Sequence, residues 1–411
     1  MKRHFSPPFD RPVVRWLTLL LGLGLLVGIF ARVFWLSYPG VRVFDEVYFP
    51  VFAQQYLNHV DVFDVHPPLG KFIIAGGILL FGDTGVGWRI MPLLFGLLSI
   101  WLVSALWYAL TKDRLASALI AFLIATDGIF IAYSRTGLMD GILFFFMFAT
   151  LLAMVRNKRE MPMLGVATLL GLTLSVKWVG LAVIVPLAYL AYKKEKFNEF
   201  LISLWLSFAV YLVVVGLGEW VDRVPDLLQG IYDWNLQAAR YHAALTDTHP
   251  YASPWWSWPI LSRPVLLIYD AAPDGAVQLM TTLGNPLVWW SSSLAVVGSI
   301  VHLAYERVVR KVKISGHPLM MPLLGWAAAF LPWALVHRVV FLYHYVPAYG
   351  FALIILAYWL AKFFRRDPWT VLALCGLYLI ASMYFMPFAV GWWQLSAEAL
   401  KQHVWIHHWI Y

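Results

Sequence analysis

Apolar runs of membrane-crossing length alternate with short basic stretches along almost the whole chain. A helix needs about 20 apolar residues to cross the hydrocarbon of a bilayer. That length predicts eleven spans, at residues 16–36, 88–110, 115–133, 138–155, 162–176, 178–192, 199–217, 286–306, 318–336, 344–363 and 368–386. The fifth and sixth are short and abut, which predicts either a helical hairpin or broken helices. The run 72–82 is apolar too, but its 11 residues suit a helix lying in the interface better than one that crosses.

Composition agrees with this class. Of 411 residues, 61% are apolar and 13% charged, against about 45–50% and about 25% in soluble domains. An ordinary soluble enzyme and a disordered chain are both excluded. The single cysteine, Cys375, excludes a disulfide framework and any cysteine-based metal site. The net charge of +8 reads as topology. With a cytoplasmic N-terminus and 72–82 not crossing, 19 of the 30 Lys and Arg fall on the inner side, with 7 of the 22 acids. The inner loops are short and basic, as the positive-inside rule requires. Counting 72–82 as a span would reverse the downstream loops and put Lys193–Lys196 outside. Nucleic acid is therefore not an expected partner. The first apolar segment follows Lys2, Arg3, Arg11 and Arg15 without a small-residue cleavage site, and reads as an uncleaved anchor. The expectation is one all-α, polytopic membrane domain over 1–411 in the cell membrane. Two long outer loops, 37–87 and 218–285, and an outer tail, 387–411, complete it.

Long loops usually carry function, and the ionisable residues gather there. Arg32 ends the first span, and Asp45 and Glu46 follow in the first outer loop with Asp64, His66 and Lys71. Arg89 opens the second span, Arg135 and Asp140 flank the next outer turn, and Lys177 lies between spans five and six. Arg338 and Tyr343-His344-Tyr345 stand between spans nine and ten. All fall on one side at similar depth, where charges at membrane level face a cavity or a partner. Several cations suit a lipid phosphate, and a carboxylate beside them suits a general base. A phosphate leaving group already carries its charge, so one base with positive charge suffices. A glycosidase needs two carboxyl groups flanking the bond, which the adjacent, diverging Asp45 and Glu46 do not provide.

Each feature also has a plainer reading. Asp45-Glu46 could be a solvated pair, Arg32 and Arg89 snorkelling anchors, and Arg135 with Asp140 a structural ion pair across their turn. His66-Pro67-Pro68-Leu69-Gly70-Lys71 could simply start the interfacial helix. Asp127, in the outer third of span three, suits a structural hydrogen bond. The Trp-rich stretch Trp255–Pro259 suits either an interfacial belt or a carbohydrate-facing surface. His403 and His407 have i,i+4 spacing, but without the glutamate of a zincin pattern they read as interfacial rather than as metal ligands.

Together the motifs are recognisable. Phe44-Asp45-Glu46-Val47-Tyr48-Phe49 and Phe63-Asp64-Val65-His66-Pro67-Pro68-Leu69-Gly70-Lys71 resemble the first outer loop of the protein O-mannosyltransferase family. Further likeness lies in Ser134-Arg135 to Asp140, Leu174 to Gly180, Trp255 to Pro259 with Arg263-Pro264, and Tyr343-His344-Tyr345-Val346-Pro347. The resemblance covers nearly the whole chain in the family's order. It implies a GT-C glycosyltransferase fold with eleven spans and interfacial helices in the first outer loop. It also implies inverting, metal-independent transfer of mannose from a polyprenyl-phosphate-mannose donor to Ser or Thr of an unfolded or translocating exported protein, beside the export translocon. No cofactor is implied. By resemblance Asp45 is the catalytic base, Glu46 its partner in positioning the acceptor, and Arg32 and Arg89 cations of the site. His66, Lys71, Arg135, Asp140, Lys177, Arg338 and His344 extend the donor- and substrate-binding set. The segment 218–285 is too short for the lumenal β-trefoil of eukaryotic members, so the likeness is to a bacterial type. The rivals are a GT-C enzyme that moves a lipid-linked sugar to a lipid or glycan, and a lipid-linked sugar transporter. A transporter would show an internal repeat and midplane charges, and neither is visible.

Overall fold

The computed structural model describes residues 11–157, 163–245 and 248–410. The expected inner-side cations Lys2, Arg3, Lys158 and Arg159 lie outside those residues. A helix occupies every expected span. In chain order they are α1 (Arg11–Val33), α2 (Phe49–Leu57), α3 (Leu69–Phe81), α4 (Gly85–Thr111), α5 (Arg114–Thr126), α6 (Gly128–Ser134), α7 (Asp140–Arg156), α8 (Leu164–Val176), α9 (Ile184–Lys193) and α10 (Phe197–Val221). There follow α11 (Leu227–Ala244), the antiparallel hairpin β1 (Leu266–Ala271) and β2 (Val277–Thr281), then α12 (Pro286–Val308) and α13 (Met320–Phe330). The chain closes with α14 (Val346–Phe364), α15 (Pro368–Tyr384), α16 (Met386–Val390) and α17 (Ala397–His403). Five segments are single helices long and apolar enough to cross a membrane, and the bent pair α5–α6 makes a sixth. The expected spans at 162–176, 178–192, 318–336 and 368–386 are shorter apolar helices.

Burial separates lipid-facing helices from interior ones. Only 28% of the most apolar stretch of α1 is buried, and Trp16, Leu19, Leu23, Leu26 and Phe30 form an exposed stripe at helical spacing. In α14, 78% of the corresponding stretch is buried, and it packs against α5, α12 and α13 as the central helix.

The third expected span is not one helix. It breaks at Asp127, and α5 and α6 diverge by 64°. The Asp127 carboxylate caps α6 by accepting from Ile129 N at 3.1 Å, which satisfies a donor that the break leaves open. Its Oδ2 also accepts from Tyr349 Oη (2.6 Å) and Asn285 N (3.0 Å), tying the break to α14 and to the start of α12. Asp127 therefore has the structural role expected of it.

The first outer loop folds down onto the bundle. The expected interfacial helix is α3, whose 13 residues span about 20 Å, short of a bilayer's roughly 30 Å of hydrocarbon. It turns back at Gly82 into α4, and the two helices meet so closely that a Cβ on Gly77 would lie 2.4 Å from Gly87 O. Residues 218–285 hold α11, a short 3-10 helix at Trp255–Ile260 and the β hairpin. Among the described residues the strands form one two-stranded sheet. The tail is pinned to this cap: Leu395 pairs with Val277, and the buried Trp409 donates to Leu261 O at 2.8 Å.

Candidate active site

The polar groups behind the first outer loop are consumed by one another. Glu46, wholly buried, accepts through Oε1 from Arg89 Nε (2.8 Å) and Gly137 N (2.6 Å). Its Oε2 accepts from Arg89 Nη2 (2.7 Å) and Val43 N (2.9 Å). The other Arg89 donors reach the carbonyls of Leu36, Pro39 and Val41. Every N–H of this guanidinium is engaged, so Arg89 holds the loop to α4 and has no donor left for a ligand.

Arg32 and Arg135 cap helix ends instead of facing an opening. Arg135 donates to Ala31 O, Arg32 O, Phe34 O and Trp35 O, the carbonyls where α1 ends. Arg32 donates to Ile124 O and Ala125 O at the end of α5, and to Ser134 Oγ. A cation at a helix C-terminus satisfies unpaired carbonyls and opposes the helix dipole. The anticipated Arg135–Asp140 pair does not form. Lys71, also buried, donates to Asp64 Oδ2 at 2.5 Å and to His66 O, fixing the His-Pro-Pro turn.

In front of this framework lies a cavity of about 700 Å³, within the usual range of about 300–1,000 Å³ for small-molecule sites. Its walls come from the first outer loop, the start of α7, the α8–α9 junction, the end of α11 and the loops around α13 and α14. Asp45, His66, Asp140, Lys177, Arg338 and His344 all line it; Glu46, Arg32, Lys71, Arg89 and Arg135 stand behind it. Lys177 Nζ pairs with both Asp140 oxygens (2.9 and 3.0 Å) and lies over the rings of Phe49 and Tyr343. His344 stacks on Tyr343 and lies against Trp333 and Trp258. The Trp-rich segment thus serves partly as packing under this histidine: Trp258 is fully buried, whereas Trp256 is exposed.

Two charged groups on the wall have no such partner. Among the described residues, neither the Asp45 carboxylate nor the Arg338 guanidinium makes a hydrogen bond or ion pair. Burial pushes the Asp45 carboxyl up to about 6; Lys177 opposes the rise, and Asp140 and Asp64 add to it. Such a carboxylate is ionised at neutral pH and more basic than an exposed one. Burial, helped by Lys177 and Lys71, holds His66 well below the ordinary imidazole range, so it is neutral. Burial lowers Arg338 from its usual value, which still leaves a cation at neutral pH.

The family described as "Dolichyl-phosphate-mannose-protein mannosyltransferase" matches residues 23–89 and 82–217. The "C-terminal four TMM region of protein-O-mannosyltransferase" matches residues 227–409. The chain belongs to the protein O-mannosyltransferase family. It is a glycosyltransferase of the GT-C fold. A polyprenol-phosphate-mannose–protein mannosyltransferase of Mycobacterium tuberculosis is 26% identical, covering 79% of this chain and 76% of that protein. One of Corynebacterium glutamicum is 24% identical, covering 74% and 72%. In fold, the chain is similar to the Saccharomyces cerevisiae protein O-mannosyltransferase Pmt1-Pmt2 complex bound to the sugar donor, with TM-score 0.83, 16% identity and coverage of 99% and 96%. A more distant likeness is ArnT of Cupriavidus metallidurans bound to undecaprenyl phosphate, with TM-score 0.56, 16% identity and coverage of 89% and 64%.

Sequence reasoning missed several members of the wall. His242 and Tyr241 on α11, Trp333 and Phe341 line the cavity without a local motif that marks them. In the sequence they are a lone histidine and membrane-level aromatics. The C-terminal histidines do not share a helix face, because α17 ends at His403, which stacks on Tyr384 at 4.0 Å.

Proposed function

We propose that this enzyme transfers mannose from polyprenyl-phosphate-mannose to a Ser or Thr hydroxyl of an exported polypeptide, with Asp45 as the general base. The observation that carries the reading is that one ligand-sized cavity holds both a carboxylate, Asp45, and a guanidinium, Arg338, that are unpartnered among the described residues. Asp45 takes the proton of the acceptor hydroxyl as that oxygen bonds to the anomeric carbon. The bond from that carbon to the phosphate oxygen breaks, and its electron pair leaves on the phosphate. Arg338, with Lys177 on the same cavity wall, offsets the charge that develops there. Attack on the face opposite the phosphate inverts the anomeric configuration. These cations supply positive charge to the leaving group, so turnover is expected to continue in EDTA. His66, Asp140 and His344 shape the same wall.

The names of the mycobacterial and corynebacterial relatives support this donor and a protein acceptor. The charge asymmetry of the loops supports a cavity opening to the outer face of the cell membrane, with a cytoplasmic N-terminus. Such a cavity meets acceptors as they emerge unfolded near the translocon.

The test is purified enzyme with polyprenyl-phosphate-mannose and a Ser/Thr-rich peptide, wild type against Asp45→Asn. The variant should fold and bind donor but lose about 10²- to 10⁴-fold in transfer. Transfer by Asp45→Asn at the wild-type rate removes Asp45 from the base role. Transfer to lipid or glycan but not peptide would favour the other GT-C chemistry.

A further inference from the structure

His242 lies at the end of α11 and joins the two long loops: its Nε2 is 3.1 Å from the backbone carbonyl of Val65, beside His66. A carbonyl oxygen only accepts, so Nε2 carries the hydrogen. Burial, then Arg338 and Lys177, lower the imidazole's proton affinity against the raising influence of the Val65 hydrogen bond and of Asp64, and the ring is neutral. Nδ1 is therefore a bare lone pair. That atom is buried, has no partner, and belongs to a residue that lines the cavity. A buried acceptor without a donor is costly and rare, which marks a position that a ligand completes.

The surroundings say which ligand group. A phosphate oxygen is itself an acceptor and cannot satisfy Nδ1. The strongest charge acting on His242 is Arg338, a cation without a partner among the described residues, and Trp178 presents its ring 5.8 Å away. The group attached to a phosphate at Arg338, and rich in O–H donors, is the hexose of the donor. We propose that His242 Nδ1 accepts a hydrogen bond from a hydroxyl of that hexose, which makes His242 a specificity-determining residue. This inference rests on the lipid-phosphate-sugar reading of the cavity.

Two variants divide the two edges of the ring. His242→Asn keeps an acceptor oxygen near the place of Nδ1 but drops the tie to Val65. His242→Gln reaches toward Val65 but leaves the Nδ1 position empty. With polyprenyl-phosphate-mannose and its single-deoxy sugar analogues as donors, wild-type enzyme should lose about three- to tenfold in kcat/KM on one analogue, the worth of one neutral hydrogen bond. His242→Gln should lose about as much on the parent donor and no longer distinguish that analogue, while His242→Asn keeps most of the discrimination. Rescue by Gln and not Asn would reduce His242 to a loop tie and overturn the proposal. So would wild-type enzyme that uses all the deoxy donors equally, a result that does not depend on any variant folding. Asp45→Asn on the same donors is the control: if it turns over normally, the reading of the site has failed; if it is inactive while His242→Gln is unaffected, only the present inference has.

Discussion

Glu46 and Arg89 form a two-pronged ion pair, both side chains fully buried, one residue away from the Asp45 carboxylate that faces the cavity. Adjacent acidic side chains point apart, so the two do different things: Glu46 clamps the loop, and Asp45 is left free to meet substrate. Removing one partner of a buried pair leaves an uncompensated charge and costs about 3–5 kcal/mol. Arg89→Ala and Glu46→Gln should therefore lower the unfolding temperature and the yield of folded protein in detergent. The KM for donor in the surviving fraction should stay close to wild type. A selective rise in that KM without loss of stability would return Arg89 to the phosphate site.

Arg338 should behave in the opposite way. Among the described residues its guanidinium makes no hydrogen bond or ion pair, so Arg338→Ala should fold normally. The KM for the lipid-phosphate donor should rise about 10- to 100-fold, as expected for hydrogen bonds to a charged group. Lysine keeps the charge but not the planar fork, and Arg338→Lys should recover only part of the affinity. A donor titration on each variant gives the comparison.

The acid limb of the pH profile should report Asp45. The base works when deprotonated, so kcat/KM should be full above its value of about 6 and fall as the pH drops through it. Asp140 raises that value and Lys177 lowers it. Asp140→Asn should move the limb to lower pH, and Lys177→Met should move it to higher pH. A limb that stays put in both variants would belong to another group.

The close crossing of α3 and α4 gives a test of packing. A Cβ on Gly77 would sit 2.4 Å from a backbone oxygen of α4, which cannot rotate away. Gly77→Leu should force the helices apart and lose folded protein, measurable as a lower unfolding temperature. Gly165→Leu, on an open surface of α8, should be tolerated.

The helices were legible because membrane burial depends on the length and apolarity of a segment, which add up locally along the chain. The motif Asp45-Glu46 with His66 to Lys71 was legible as a family motif for the same local reason. Which charges face a ligand was not. Arg32, Arg89 and Arg135 sit at the same sequence-predicted depth as Arg338, and nothing in their neighbours separates a helix-capping guanidinium from a free one. Asp140 finds Lys177, 37 positions away, rather than Arg135, five away. The amino-acid sequence by itself determined the membrane class, most of the helix positions and the family. Only the tertiary structure decided which ions cancel in pairs and which stay unsatisfied around the cavity. That choice depends on the direction in which each side chain leaves its helix end, and on the carbonyls and carboxylates it meets there.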